Sequence, residues 1–258
     1  MKYGVVYDLK KASEIAALGF DYIEGTVTSV ASMSDAEFAE LKSGIGQTSI
    51  CAEAFCVLFP GSIRLTGPDA DMGKVESYID GVFPRLTSLG AQSVVFGSGG
   101  ARAVPEGFDR AEAWRQLISV GRLLGQKALE HGLVIALEPL RKEETNIVNT
   151  QREGLALVKD VAHPGFCILS DYYHLHLGGE GEDEVAECGA LLRHAHISDP
   201  DGRVCPREGD GANYAEFFGG LARAGYDSRL SYEGKIDGLE ELGESLRYIK
   251  KTAKACGY

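Results

Sequence analysis

No apolar run in this sequence approaches the ~18 to 20 residues that a membrane-spanning helix needs. Basic residues are also in deficit, because the 258 residues contain 26 Lys and Arg against 38 Asp and Glu, a formal net charge of -12. A negative total repels polyanions, whereas proteins that bind a phosphate backbone usually carry a basic stripe. We therefore expect no membrane and no nucleic acid among the partners of this chain.

Cysteine pairs of the redox or zinc-binding type are missing as well, since the six cysteines include no CxxC spacing. Most of them lie in apolar contexts, where a thiol behaves as a small hydrophobe. The opening residues, MKYGVVYDLK, lack the cationic start, apolar stretch and cleavage site of a secretory signal. We therefore expect reduced, structural cysteines and a cytoplasmic location.

Short β-rich runs alternate with longer amphipathic stretches along the whole sequence, the pattern of repeated βα units around a parallel sheet. Strands are predicted at 3–7, 22–27, 49–54, 93–96, 134–138, 166–170, 194–197 and 230–233. The length is close to the ~250 residues of a (β/α)8 barrel, and no linker or low-complexity tract divides the chain. The sequence thus predicts an α/β fold, a single TIM-barrel domain spanning residues 1–258.

Two helices carry distinct signals. Apolar residues at three- and four-residue steps predict a helix over 109–130 that ends at His131 and Gly132. A second helix is predicted over 69–89 with a kink or break at Pro84, because proline removes an internal hydrogen bond.

An acidic or imidazole residue lies at the end of each of the last four predicted strands: Glu138, Asp171, His196 and Glu233. In a parallel barrel these strand ends meet at one rim. Two carboxylates ~4 Å apart repel by about 4 kcal/mol at an effective dielectric of 20, so three of them need protons or a cation. We predict that the four side chains bind one divalent metal ion. Oxygen ligands with one imidazole suit Mn²⁺ best, with Mg²⁺, Co²⁺ or Zn²⁺ as alternatives.

The segments around these residues resemble the xylose isomerase-like TIM-barrel superfamily, and within it the sugar isomerases and epimerases, including ketose 3-epimerases and hydroxypyruvate isomerases. The matching segments are LEPL with the following Glu144, SDYYH (170–174), HAHISD (194–199) with Arg203, and LSYEG (230–234). The likeness extends over the chain in its βα rhythm, whereas these specific motifs are confined to the second half.

The resemblance implies roles for individual residues. The four predicted ligands would match the family's metal ligands, with Glu138 and Glu233 also acting as proton-transfer groups. Glu144 and His174 match substrate-contacting positions, and Arg203 matches one if the loop after the metal histidine contains one extra residue. The family likeness also suggests a homo-oligomer.

These assignments predict a divalent-metal-dependent isomerase or epimerase that acts on a small sugar or keto-polyol. A cation that binds a carbonyl oxygen and its neighbouring hydroxyl stabilises an enediolate, so the adjacent C–H becomes acidic. One glutamate can remove that proton and the other can return one, each step contributing ~10² to 10⁴ in rate. Return to the opposite face gives epimerisation, and return to the neighbouring carbon gives aldose–ketose isomerisation; the sequence leaves both open.

Other functions use the same fold. A dehydratase of a keto-inositol (inosose) or sugar acid could expel a hydroxyl group from the same enediolate. A DNA-repair nuclease of the endonuclease IV type also resembles the pair Asp171 and His174, but it needs further histidines in regions where this chain offers Glu24, Glu53 and the segment 208–210. A non-catalytic barrel is a third alternative, since fold does not dictate function.

The remaining polar residues near strand ends give further expectations. We expect His194 to face away from His196 and to pack beneath a helix. Glu53 is predicted to end the third strand, where a substrate contact and a salt bridge are equally compatible with the sequence. The glycines of FGSGGAR (96–102) would let backbone approach the site closely, and Arg64 and Arg102 are candidates for binding an anionic substrate tail.

Overall fold

The computed structural model describes residues 1–258 and contains eight parallel strands that pair in sequence order and close into a barrel. The α/β class and the (β/α)8 TIM barrel predicted from the sequence are confirmed. The strands are β1 (Lys2–Val6), β2 (Tyr22–Thr26), β3 (Ala52–Cys56), β4 (Ser93–Phe96), β5 (Val134–Leu137), β6 (Phe166–Asp171), β7 (Leu192–Ile197) and β8 (Arg229–Tyr232).

Helices cover the outside of the barrel. They are α1 (Ala12–Ala17), α2 (Val27–Ser32), α3 (Asp35–Ile45), α4 (Met72–Ser88), α5 (Gly99–Arg102), α6 (Arg110–Glu130), α7 (Gln151–Val161), α8 (Tyr172–Gly178), α9 (Glu182–Glu187), α10 (Tyr214–Arg223) and α11 (Leu239–Ala255), with short 3-10 turns at Leu9–Lys11 and Gly189–Leu191. None of them combines the length and apolar character that crossing a membrane would require.

Two helix predictions have different outcomes. Helix α6 begins after the N-cap Asp109, whose side chain accepts from the backbone N–H of Glu112, and it ends at His131, followed by Gly132 at a φ of 69°. Both ends are confirmed, because each uses local capping chemistry. Helix α4, in contrast, continues through Pro84, so the predicted break is absent. Pro84 is exposed, and water can satisfy the carbonyl that the proline leaves unpaired.

The hydrophobic core consists of two clusters. The large one contains 61 buried residues and fills the layer between strands and helices. The small one, Cys56, Val95, Ala136 and Leu169, draws only on β3 to β6. Strand side chains alternate between two faces, so one set packs under the helices while the other points into the barrel.

The third strand starts later than the sequence predicts. Ala52 is the β3 residue that pairs with Ile23 of β2, and the register then shifts by one residue before Ala54 pairs with Glu24. Glu53 is therefore near the amino end of β3 rather than at its carboxyl end. Its carboxylate pairs with Lys2 at 2.7 Å and Arg229 at 2.6 Å, so it closes the end of the barrel opposite the strand ends discussed below.

Candidate metal centre

The four predicted ligands come together at the carboxyl-terminal rim of the barrel. Glu138 and Glu233 directly follow β5 and β8, Asp171 ends β6, and His196 is near the end of β7. Register explains their convergence, since Asp171 and His196 are pairing partners across β6 and β7. One ligand atom from each of the four lies within 4.8 Å of the others.

The donor atoms that face this centre have the character of metal ligands. His196 Nδ1 is 3.0 Å from Glu233 Oε2 and 3.5 Å from Glu138 Oε1. Nevertheless, His196 Nδ1 and Glu138 Oε1 are buried and have no hydrogen-bond partner. Buried polar atoms without partners are rare in folded proteins and call for an explanation such as a bound ion. Three carboxylates and one imidazole fit a divalent cation in chemistry as well as in position.

Burial and mutual repulsion set the protonation of the carboxylates. Burial raises the pKa of Glu138, and the negative charge of Glu233 raises it further. Burial likewise raises the pKa of Asp171 to about 6. Burial alone would also raise the pKa of Glu233, but His196 and Arg203 outweigh it and lower this pKa to about 2. The environment therefore distinguishes the two glutamates, one favouring the protonated form and the other the ionised form.

Arg203 supplies positive charge beside the cluster. Its Nη2 donates to Glu233 Oε2 at 2.6 Å and to Asp171 Oδ2 at 3.2 Å, and its guanidinium lies 4.6 Å from the ring centre of Tyr173. The backbone of Arg203 has a φ of 55°, in the left-handed region that residues other than glycine rarely adopt. Such a conformation persists only when the surroundings enforce it, and strained residues of this kind cluster at functional sites.

His174 also faces the cluster. Its Nδ1 accepts from the backbone N–H of Arg141 at 3.4 Å, so the proton of the neutral ring is on Nε2. This Nε2 is 3.6 Å from Asp171 Oδ2 and 4.0 Å from Glu138 Oε1 and has no hydrogen-bond partner. Burial lowers the pKa of His174 and favours the neutral form. The ring thus presents an unpaired N–H at the centre.

Glu144 lies farther out, in the loop that follows β5. Its Oε1 pairs with Arg141 Nε at 2.9 Å, and 31% of its side chain is exposed. The loop after β4 packs directly against this segment, because a Cβ on Gly99 would lie 2.6 Å from the Glu144 backbone oxygen. The expected close approach of backbone at FGSGGAR is therefore present.

Two expectations about neighbouring residues are wrong. His194 does not pack beneath a helix, because residues two apart on a strand point to the same face; its Nε2 lies 2.8 Å from Glu24, inside the barrel. Arg102 is fully buried and donates to the backbone oxygens of Phe96, Glu138 and Val148. Its guanidinium is thus unable to reach a bound substrate, whereas Arg64 is partly exposed and donates to the backbone oxygen of Gly100 at 2.7 Å.

Glu24 is the residue beside the centre whose role the sequence did not indicate. It is fully buried on β2, yet Oε1 lies 3.1 Å from His196 Nε2. Burial would raise the pKa of Glu24, but His194 and His196 outweigh it and lower the pKa well below the usual value. Conversely, burial would lower the pKa of His196, but the negative charges of Glu24 and Glu233 outweigh it and raise this pKa. Only the i and i+2 spacing of the two histidines could have indicated this contact.

Fold and geometry together define a (β/α)8 barrel with a candidate divalent-metal centre where its last four strands end. The chain belongs to the xylose isomerase-like TIM barrel family, whose model matches residues 12–252.

Similar proteins of known activity are sugar epimerases. The chain is 24% identical to the D-psicose 3-epimerase of Agrobacterium fabrum over 79% of this chain and 75% of that protein. It is 26% identical to the ketose 3-epimerase of Arthrobacter globiformis, with coverage of 89% and 77%. It is 25% identical to the 3-dehydro-D-guloside 4-epimerase of Escherichia coli, with 94% of each chain covered.

Solved structures share the fold. The crystal structure of a D-psicose 3-epimerase in the presence of D-fructose superposes with a TM-score of 0.87 at 18% identity, covering 98% of this chain and 99% of that one. An AP endonuclease, family 2, from Brucella melitensis superposes with a TM-score of 0.78 at 19% identity, covering 97% and 99%. Since the same barrel serves both activities, the fold alone does not choose between them.

Proposed function

We propose that this chain, as a single-domain enzyme, is a divalent-metal-dependent epimerase or isomerase of a small ketose or keto-polyol. The observation that carries the proposal is the convergence of Glu138, Asp171, His196 and Glu233 within 4.8 Å, with two ligand atoms buried and without partners. The epimerase relatives support the carbohydrate substrate class. Their identities near 25% leave the particular sugar to experiment.

The same four side chains would hold the metal, with Mn²⁺ as the first choice. When bound, a divalent cation acts as a Lewis acid that polarises a carbonyl and its neighbouring hydroxyl. The fit rests on the donor set, since three carboxylate ligands and one imidazole suit Mn²⁺ and Mg²⁺ better than a structural zinc. Asp171 and His196 would serve only as ligands, because neither is needed for proton transfer.

Glu233 and Glu138 would carry out the proton transfers. With its pKa held low by His196 and Arg203, Glu233 is ionised and able to accept the proton from the carbon beside the carbonyl. Burial favours the protonated form of Glu138, which suits it to return a proton. In the reverse reaction the roles exchange. The unpaired Nε2–H of His174 can donate to a substrate oxygen that gains negative charge, and Arg203 and Glu144 can orient hydroxyl groups.

The nuclease alternative would need further metal ligands from the first half of the barrel. Glu24 is beneath the centre and hydrogen-bonded to His194, while Glu53 is paired with Lys2 and Arg229 at the opposite end. Neither carboxylate is available at the rim, so we do not propose a nuclease. The dehydratase alternative requires the same catalytic groups and is distinguished by its product.

Metal analysis of the purified protein, followed by a solvent-deuterium screen over ketoses, 2-keto acids and inososes, tests the proposal. We expect deuterium to enter at carbon next to the carbonyl, with an epimerised or isomerised product rather than loss of water. Glu138→Gln and Glu233→Gln should each lower turnover by at least about 10²-fold, since each removes a proton-transfer group. Glu143→Gln, at an exposed carboxylate in the same loop as Glu144, is the control. Full activity of either site variant would refute the assigned roles.

A further inference from the structure

A buried polar cluster lies directly beneath the candidate metal centre. Its members, here called the Glu24 cluster, are Tyr22 and Glu24 of β2, His194 and His196 of β7, and Ser231 of β8, and all five are 0% exposed. The interior of a TIM barrel is usually filled by branched apolar side chains. Burying a carboxylate in their place is costly unless its hydrogen bonds are satisfied, so the cluster calls for a function.

The hydrogen bonds of the cluster fix the direction of each donor. Glu24 Oε2 accepts from His194 Nε2 at 2.8 Å and from Ser231 Oγ at 2.5 Å. Because the Ser231 hydroxyl donates to Glu24, the Tyr22 hydroxyl donates to Ser231, at 2.7 Å. Glu24 Oε1 remains, and it faces His196 Nε2 at 3.1 Å. A carboxylate only accepts hydrogen bonds, so His196 must carry its proton on Nε2.

This tautomer matters for the centre above. With the proton on Nε2, the lone pair of a neutral His196 is on Nδ1, the atom directed at Glu233 and Glu138. The contact with Glu24 is the single hydrogen bond of the His196 side chain, and the ring of His194 packs edge-on against it at 4.9 Å. Glu24 therefore fixes both the proton and the orientation of the ring.

We propose that Glu24 is a positioning residue for metal binding: it holds His196 with Nε2 protonated and Nδ1 available to a divalent cation. The proposal rests on the proposed function in that a cation is the partner of Nδ1. A carboxylate that accepts from the second nitrogen of a histidine ligand makes that ligand more basic, and loss of such a partner typically costs 10- to 100-fold in metal affinity.

Glu24→Gln is the direct test, because it keeps the shape of the side chain while its amide can donate as well as accept. We expect the Mn²⁺ affinity, measured by calorimetry, to fall by about 10- to 100-fold. In the Zn²⁺-loaded wild-type protein, long-range ¹H–¹⁵N spectra should place the proton of His196 on Nε2 and the metal on Nδ1. Coordination through Nε2 would overturn the proposal and does not depend on the variant being folded.

Ser231→Ala is the matched control, since it removes a different hydrogen bond from Glu24 and leaves the oxygen that faces His196 untouched. Its Mn²⁺ affinity should change by less than about tenfold, the smallest loss expected for Glu24→Gln. If the two variants lose thermal stability alike and neither loses affinity, the cluster is structural and the proposal is wrong. If the wild-type protein binds no divalent cation, the proposed function fails first; if it binds Mn²⁺ and Glu24→Gln binds it equally well, only this inference fails.

Discussion

Gly234 sets the spacing between two residues of the candidate site. It follows Glu233 in the sequence, and it packs against the backbone of Arg203. A Cβ atom on Gly234 would lie 2.5 Å from the backbone oxygen of Arg203 and 2.7 Å from the Tyr232 hydroxyl. The obstructing atom is backbone, so it has no rotamer by which to move away. The same oxygen accepts from the backbone N–H of Lys235 at 2.8 Å, which holds the two loops together. Gly234→Ala therefore pushes these loops apart.

The displacement can be worked from the contact distance. A carbon and an oxygen that are not bonded rest about 3.3 Å apart or more, so the two segments must separate by about 0.8 Å. A misplacement of ~1 Å can cost ~10² in rate, so we expect turnover to fall by about 10- to 100-fold. Overpacking typically costs about 1 to 3 kcal/mol, which corresponds to a fall in Tm of about 2 to 12 °C for a chain of this size.

The assay compares Gly234→Ala with Gly238→Ala, a change in the same loop where an added Cβ meets no atom within 4 Å. Solvent-deuterium incorporation into substrate reports turnover, calorimetry with Mn²⁺ reports metal affinity, and a thermal melt reports folding. Gly238→Ala should resemble the wild-type protein in turnover and affinity. Equal turnover and affinity in the two variants would refute the argument that the spacing between Glu233 and Arg203 is set by this glycine.

Two further predictions concern pH and packing. Burial raises the folded-state pKa of Asp171 to about 6, so below that pH a cation can bind only by displacing a proton. The stability that this proton gives to the folded state is present at low pH and is lost as the pH rises through about 6. The Tm increase produced by a fixed Mn²⁺ concentration should therefore grow as the pH rises through about 6, with the affinity changing by about tenfold per pH unit or more, because the raised pKa values of Glu138 and His196 mean that the cation displaces protons there as well. A pH-independent Tm increase in differential scanning fluorimetry would contradict this prediction. Leu124 of α6 is 0% exposed, so Leu124→Ala should lower the free energy of unfolding, measured by urea denaturation, by about 2 to 5 kcal/mol. Leu129 of the same helix is 46% exposed, and Leu129→Ala should change this free energy by less than about 0.5 kcal/mol.

The sequence predicts those parts of the structure that depend on local signals. Strand ends are local, so the convergence of Glu138, Asp171, His196 and Glu233 follows once parallel strands share a rim. The caps of α6 at Asp109 and His131 are local as well. The start of β3 is different, because the β-branched and small residues at 49–51 read as strand while pairing begins only at Ala52. Because β3 begins at Ala52 rather than at Ser49, Glu53 lies near the amino end of the strand and not at the carboxyl end that the sequence predicted.

Contacts across the barrel depend on how the eight strands close into a ring, so the sequence alone does not predict them. Glu24 of β2 reaches His196 of β7 because the strands between and beyond them close into a ring with a particular stagger. Arg102 illustrates the same limit, since its three carbonyl acceptors come from segments ending at 96, 138 and 148. A sequence shows the charge of such a residue, whereas only the folded backbone shows which acceptors surround it.

The four candidate ligands belong to β5 through β8, and none comes from β1 through β4. Half of the rim therefore supplies no candidate ligand, and the loops after β1 to β3 can change without replacing any of the four side chains. Insertions or substitutions in those loops would change which molecule fits while the proposed proton-transfer glutamates stayed in place. This division of labour offers a physical route by which related barrels come to handle sugars as different as D-psicose and 3-dehydro-D-guloside.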